Sequence, residues 1–429
     1  MMGTRSRDDA EMEDSAAVTP QRVLMISRRF WPHLGSDTAC RDRRLVDALR
    51  RSGLSVEVLT PRHAVGWNER FEFRESVVHR PLVWPRGPWA ARRYQRSLRA
   101  WLEDQGTRFG AWVCSGFGEE WSTVLRADVP QVRKFVWHSG TGGGADHVVW
   151  GQLHGERRLV AELSQADGVI VSWASVQRAL VGLGVEAGRL RRIDIGVASA
   201  VGSAETGGSS PVTGGLATPG QSRRALAEIN GDLRLEAESL VVMAGGEMTA
   251  GGGMGGLAEA FATLPDGWGD LRLWLIGDGP RRGELHDYFR HQSLRPQVAM
   301  PGTFTDFEDL YRAADVVVIP SAAEGLEDTL PSAVAAAVPL VVVDSPDTRA
   351  FFAGVEGLVG WFQAGMVKGL RDALQDCLLQ LVQRREAAKR LRREMLTRRP
   401  YQQTVLAFKQ LIESSPSSRS PGPSPRSMP

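Results

Sequence analysis

Residues 273–285 read LWLIGDGPRRGEL, and residues 309–352 read DLYRAADVVVIPSAAEGLEDTLPSAVAAAVPLVVVDSPDTRAFF. Two apolar runs, Leu273–Ile276 and Val316–Ile319, each stop at a polar turn that leads into a helical stretch. The first turn is Gly277-Asp278-Gly279-Pro280; the second is Pro320, Ser321 and a loop through Glu324 and Gly325. Strand, turn and helix in that order predict an open α/β sheet, in which ligands sit where strands end and helix N–H groups are free. The second helix is expected to start near Leu330 and Pro331, because proline suits a first helical turn. That start puts the Glu324 carboxylate beside a helix N-terminus, where it can accept hydrogen bonds from a ligand.

Outward from this block the alternation continues. Val23–Ile26, Ser55–Leu59, Ala111–Cys114, Lys134–Trp137 and Gly168–Val171 are short apolar runs bounded by turns. Leu240–Ala244 and Leu340–Val343 extend the same pattern in the second half. Continuous apolar strands suit parallel sheets covered on both faces. Cys40–Arg51 has helical periodicity, with Leu45, Val46 and Leu49 on its apolar face.

The order and spacing of these pieces resemble glycosyltransferase family 4, retaining enzymes of the GT-B fold that use nucleotide sugars. The family carries a GDGP-like turn, an "AADVFVLPS"-type strand and an E-x7-E signature. Here EGLEDTLPSAVAAAVPLVV fits that frame: Glu324 matches the first glutamate, Ser332 stands at the second, and Pro339 keeps the family's distance. Residues 23–60, 168–196 and 223–244 resemble other parts of the family in the same order. The GDGP turn is not a dinucleotide fingerprint, because Gly277 and Gly279 lack a third glycine three residues on.

The resemblance implies two doubly wound Rossmann-like domains facing across a cleft. It divides the chain into an N-terminus 1–20, an acceptor-side domain 21–196, a linker 197–222, a nucleotide-sugar domain 223–398, a terminal helix 399–413 and a tail 414–429. The terminal helix is expected to pack back on the first domain. The linker is rich in Gly, Ser, Thr and Pro, and the tail is of low complexity.

Site residues follow from the same resemblance. It makes Glu324 and His138 catalytic, His138 because it follows directly on the strand Lys134–Trp137. It assigns Gly277, Asp278, Gly279, Gly325, Leu326, Ser332, Gly245 and Glu247 to the donor, with Gly277 and Gly279 lining the cleft. It assigns Gly35 and Ser36 to an acceptor or phosphate loop, in which Asp37 or Thr38 is placed to cap the following helix. His33, His147 and His154 have no counterpart in the family pattern. Family members set an arginine and a lysine against the donor diphosphate. The corresponding segment, MAGGEMTAGGGMGGLAEAF (residues 243–261), has neither: Glu247 and Gly252, or Gly246 and Gly251, stand in those places. Without them, diphosphate is expected to rely on backbone N–H groups near Gly325–Leu330. The glycine run 251–256 has two readings, an anion nest or a flexible connector.

Composition narrows the class further. The 429 residues contain three cysteines, Cys40, Cys114 and Cys377, far apart and without a C-x-x-C pair, which argues against a disulfide framework or a zinc site. The longest apolar run, Ala333–Val343, is broken by Pro339 and falls short of the roughly 20 residues that a membrane span needs. No metal or other cofactor is expected, and the location expected is cytoplasmic, peripheral at the inner face of the membrane. Charge is unevenly spread: residues 21–196 carry about +9 and residues 221–398 about −6. No nucleic-acid module accompanies the basic half, so no nucleic-acid partner is expected. Residues 80–102, RPLVWPRGPWAARRYQRSLRAWL, interleave arginines with Trp84, Trp89, Tyr94 and Trp101. Such a stretch suits an anionic membrane surface or an ordinary solvated helix whose aromatic rings pack inward.

The partners expected are therefore a nucleotide-sugar donor and a glycan or lipid-linked acceptor. The alternative is a GT-B protein that has lost transfer and binds a glycan or another protein. A nucleotide-sugar epimerase fits the 320–344 block less well.

Overall fold

The computed structural model describes residues 22–199 and 218–414, apart from 237, 266 and 305–307. The N-terminus 1–20, most of the expected linker and the tail from 415 lie outside the described residues.

Two sheets organise the chain. The first contains β1 (Arg22–Ser27), β2 (Ser55–Leu59), β3 (Arg70–Phe73), β4 (Ser76–His79), β5 (Ala111–Ser115), β6 (Arg133–Trp137), β7 (Gly168–Val171) and β8 (Leu190–Arg192), in the order 3-4-2-1-5-6-7-8. The second contains β9 (Leu240–Gly245), β10 (Leu271–Ile276), β11 (Val298–Gly302), β12 (Val316–Ile319), β13 (Leu340–Asp344) and β14 (Gly360–Gln363), in the order 11-10-9-12-13-14. Every pairing is parallel except the β3–β4 hairpin. Parallel strands need covering on both faces, and the central ones are buried along nearly their whole length.

Strand order reverses twice: between β1 and β5 in the first sheet, and between β9 and β12 in the second. At such a switch point neighbouring crossovers leave in opposite directions, and a crevice opens at the carboxyl ends of the strands. Both crevices feed the site described below.

The helix after β1 runs Asp37–Arg51, with Ser36 as its N-cap accepting from the Ala39 N–H. Leu45, Val46 and Leu49 pack inward as the periodicity predicts, yet Arg41, Asp42 and Asp47 are buried too. Arg41 pairs with Glu327 of the second half, whereas Asp42 accepts from Ser27 and Ser115 and Asp47 pairs with Arg74, all within the first half.

The C-terminal helices break at Pro400, between Leu381–Arg398 and Tyr401–Glu413. Pro400 has no N–H to give, and its extended backbone starts a new helix rather than continuing the old. At this break Val197 N–H donates to the Arg399 carbonyl (2.7 Å) and Tyr401 N–H donates to the Val197 carbonyl (3.0 Å). The final helix lies on the first sheet, where Phe408 meets the edge of Trp137 at 4.7 Å between centroids.

Candidate active site

The loops after β1, β5 and β6 meet the loops after β9 and β12 around a cavity of about 660 Å³. From the first half come Arg28, Arg29, Ser36, Asp37, Ser115–Gly118, Ser139, Gly140 and Asp146; from the second come Glu247, Thr249–Gly251, Ala322–Glu324, Leu326 and Glu327. The cavity thus lies at both switch points.

Glu324 lies in its wall. Its side chain packs over the Gly246 backbone and accepts a hydrogen bond from the Glu247 N–H. Burial pushes its carboxyl well above the usual range, and the carboxylates of Asp37, Glu247 and Glu327 push the same way.

Glu324 is not the carboxylate on the helix N-terminus. That helix runs Thr329–Ala335. Asp37 reaches across from the first half and accepts from the N–H groups of Glu327 (2.6 Å) and Thr329 (2.7 Å). Asp37 is free to do so because Ser36, not Asp37 or Thr38, caps its own helix. Burial, then Asp328, raises the Asp37 carboxyl, against the pull of the two N–H groups. Two of the N–H groups expected to hold a diphosphate, those of Glu327 and Thr329, are therefore engaged already.

Around Asp37 the two halves are tied by ion pairs. Arg41, 3% exposed, reaches Glu327 at 2.8 Å and Asp42 at 3.0 Å, donates to Ser115 Oγ, and lies over the Trp137 ring at 3.5 Å. Burial pushes Glu327 up to about 8 although Arg41 pulls it down. Arg44 reaches Asp328 at 3.0 Å and donates to Ser332 Oγ at 2.6 Å. Ser332, expected at the donor, is therefore buried in this junction and does not line the cavity. A serine there leaves room for the Arg44 guanidinium.

The glycine-rich turns pack rather than line. Gly277 has φ +136°, and a Cβ there would fall 2.0 Å from the Gly246 carbonyl oxygen. A Cβ on Gly279 would meet the Met248 backbone at 2.6 Å. Both glycines hold the GDGP turn against the loop after β9, and neither reaches the cavity, contrary to the sequence expectation. Gly245, at the end of β9, faces Thr329; Gly325, at φ +84°, sits against Ile319 and Thr329. Leu326 lines the cavity. Gly35 closes against the second half: a Cβ there would lie 2.9 Å from Thr303 and 3.8 Å from the Asp278 Cβ. Asp278 itself is exposed and outside the cavity wall.

His138 is buried behind the cavity, while Ser139 and Gly140 line it. Its Nε2 lies 2.9 Å from His147 Nδ1 and accepts the His147 backbone N–H at 3.4 Å. That geometry makes Nε2 the bare nitrogen, with His147 Nδ1–H as donor. Burial, His147 and Arg41 all depress the pKa of His138, which keeps it neutral. His147, set aside in the sequence reading, is thus the partner of His138. Beside them Asp146 accepts from Ser139 N–H at 2.7 Å, and burial pushes its carboxyl up to about 7.

Glu247 does stand in the cavity wall, and Arg29 Nη2 lies 3.1 Å from its carboxylate. Sequence reasoning missed Arg28, Arg29, Asp37, Arg41, Asp146 and Glu327. The local signal was present for some of them: two arginines follow directly on β1, and Glu327 lies three residues past Glu324. Among the described residues no group of three or more His, Cys, Asp or Glu is arranged to hold a metal ion.

Residues 239–380 match the family described as glycosyl transferases group 1. The lipopolysaccharide core biosynthesis glycosyltransferase LpsE of Rhizobium meliloti (strain 1021) is 27% identical over 194 residues, 45% of this chain and 55% of that protein. The chain thus spans about half the length of this curated relative. Among solved structures, a sucrose-phosphate synthase from Thermosynechococcus elongatus superposes with a TM-score of 0.68 at 19% identity, over 91% of this chain and 98% of that one. Anabaena Alr3699/HepE, solved with UDP and glucose, gives 0.65 at 14% identity, over 92% and 100%. The chain has the GT-B fold, and residues 239–380 of its second half are similar to the group 1 glycosyltransferases.

Proposed function

We propose that the chain transfers a hexose-type sugar from a nucleotide-sugar donor to a glycan or lipid-linked acceptor in polysaccharide or lipopolysaccharide assembly, with retention of configuration. The observation that carries this reading is the cavity at both switch points with the Glu324 carboxyl in its wall. The UDP and glucose bound to HepE and the description of LpsE support the same choice of donor and product class. Glu324 orients the sugar through its hydroxyls. Asp146, poised near neutrality, accepts or returns a proton on the first-half side. His138 acts through His147 and the Ser139–Gly140 backbone, as a positioning residue.

A second reading has its own observation. Asp37 occupies the N–H groups of Glu327 and Thr329 at the start of the second-half helix, and Glu247 puts a carboxylate in the cavity wall. Both would suit a GT-B protein that binds a glycan or a protein without transferring sugar. Thermal-shift screening with UDP, GDP, ADP and their sugars separates the two. Stabilisation by one base class supports the enzyme, because a ligand that binds only the folded state raises Tm. Silence from all of them supports the binding module.

The acceptor side gives this function a surface. The helix Pro88–Gln105 buries Tyr94, Leu98 and Leu102 and leaves Arg92, Arg93, Arg96 and Arg99 outward, with Trp89 79% exposed. Trp84 and Trp101 pack against neighbouring rings instead. The outward face is proposed to rest on an anionic bilayer that carries the acceptor. Co-sedimentation with anionic vesicles but not zwitterionic ones, lost on Trp89→Ala with Arg92→Glu, is the expected result. Among the described residues no helix is long and apolar enough to cross a membrane.

A further inference from the structure

The family's diphosphate cations are absent from the loop after β9, yet the cavity is not without positive charge. Arg28 and Arg29 follow directly on β1 and line the cavity opposite that loop. Arg28 lies over the Trp84 ring at 4.4 Å, which fixes its planar guanidinium at the rim while leaving it exposed. Arg29 is 29% exposed and pairs with Glu247, itself 24% exposed, at 3.1 Å. The pair sets a polarity across the cleft: the second half offers the anion and the first half the cation.

We propose that Arg29, with Arg28 beside it, supplies the positive charge for the donor diphosphate, and that Glu247 holds Arg29 at the cavity wall until the diphosphate displaces it. A guanidinium can grip two phosphate oxygens at once, so a dianionic diphosphate outcompetes one partly solvated carboxylate. The pair also explains how a carboxylate is tolerated in a phosphate-binding cleft: it is neutralised before the ligand enters, and released toward solvent afterwards. The inference rests on the donor reading above and names the residues that make that site work in this chain.

The test is calorimetric titration of the full-length protein with UDP, GDP and ADP and with the matching monophosphates. The ratio of diphosphate to monophosphate affinity isolates the contribution of the second phosphate from that of the base. Arg29→Met should cut this ratio by about tenfold or more, the scale of one charge-assisted phosphate contact. Glu247→Gln should raise it several-fold, because Arg29 then has no carboxylate to leave. Arg29→Lys should fall between wild type and Arg29→Met. The Glu247→Gln arm answers the question even if Arg29→Met folds poorly. A ratio that stays at the wild-type value in both variants, or that falls in Glu247→Gln, overturns the assignment while the donor reading stands. Wild-type protein that binds none of the three diphosphates overturns both.

Discussion

The two halves of the molecule meet with opposite chemistry. Around the junction the first half supplies the arginines, Arg29, Arg41 and Arg44, and the second half supplies the carboxylates, Glu247, Glu327 and Asp328. Part of the charge imbalance between the halves is therefore brought together at the seam. Asp37 is the exception, an acid from the basic half, and it goes not to an arginine but to two backbone N–H groups. The contrast teaches that closure and ligand binding draw on the same groups. Arg29, and the Glu327 and Thr329 N–H groups held by Asp37, are seam groups that a diphosphate in the cavity must compete for.

The sharpest way to break this contrast is Arg41→Met. Asp42 would be left buried without its cation, and breaking a buried pair costs about 3–5 kcal/mol. Urea unfolding should show a loss of that size. A loss below about 1 kcal/mol, the level of exposed pairs, would mean that the pair contributes nothing beyond a surface contact.

Asp37→Ala comes next. Two N–H groups lose a charged acceptor inside the seam, and each such bond contributes about 1.5–3 kcal/mol. Stability should drop by about 3 kcal/mol in the absence of ligand. Added nucleoside diphosphate should recover part of it if those N–H groups then serve the phosphate.

The pH dependence follows from signs alone. Glu327 titrates near 8 and Asp146 near 7 in the folded protein, above their unfolded values of 4.5 and 3.8. A group raised on folding adds stability at low pH and loses it as pH rises through the folded pKa. His138 is shifted the other way: its contribution is present above its unfolded value of 6.5 and is lost as pH falls through its depressed folded pKa. Glu327 and Asp146 should therefore make Tm fall toward the alkaline side, from their unfolded values of 4.5 and 3.8 up to about 8 and 7, with His138 opposing the fall only below 6.5. Glu327→Gln should flatten the alkaline fall; a steeper fall in that variant would contradict the assignment.

Much of the fold was legible because parallel strands buried on both faces leave continuous apolar runs, and the nine expected from sequence fall on β1, β2, β5, β6, β7, β9, β10, β12 and β13. The strands that escaped are of other kinds. β3 and β4 form an edge hairpin, β8 has three residues, β11 contains Pro301, and β14 is the short GWFQ. Of the site, the Glu324 loop could be read locally, since strand, turn and helix are contiguous there. Arg41 with Glu327 could not: the partners stand 286 residues apart, and the register between two sheets leaves no periodic trace. The glycines of the GDGP turn were visible, but their use in close backbone packing depends on a loop that lies about thirty residues earlier.

Ser332→Ala is the smallest of these changes. It removes the acceptor for Arg44 but leaves the Arg44–Asp328 pair, so about 1 kcal/mol of stability should be lost with nucleotide affinity unchanged. A large loss of affinity would return Ser332 to the donor site.

The most direct test of the central claim, that the seam encloses a nucleotide-sugar transfer site, is release of nucleoside diphosphate from whichever nucleotide sugar stabilises the protein. It should be followed in wild type and in Glu324→Gln. The account predicts measurable release by wild type and a fall of about one to two powers of ten in the variant with its Tm preserved, the scale of one lost orienting hydrogen bond. Release that is identical in both proteins would remove Glu324 from the chemistry and place the reaction outside this cavity.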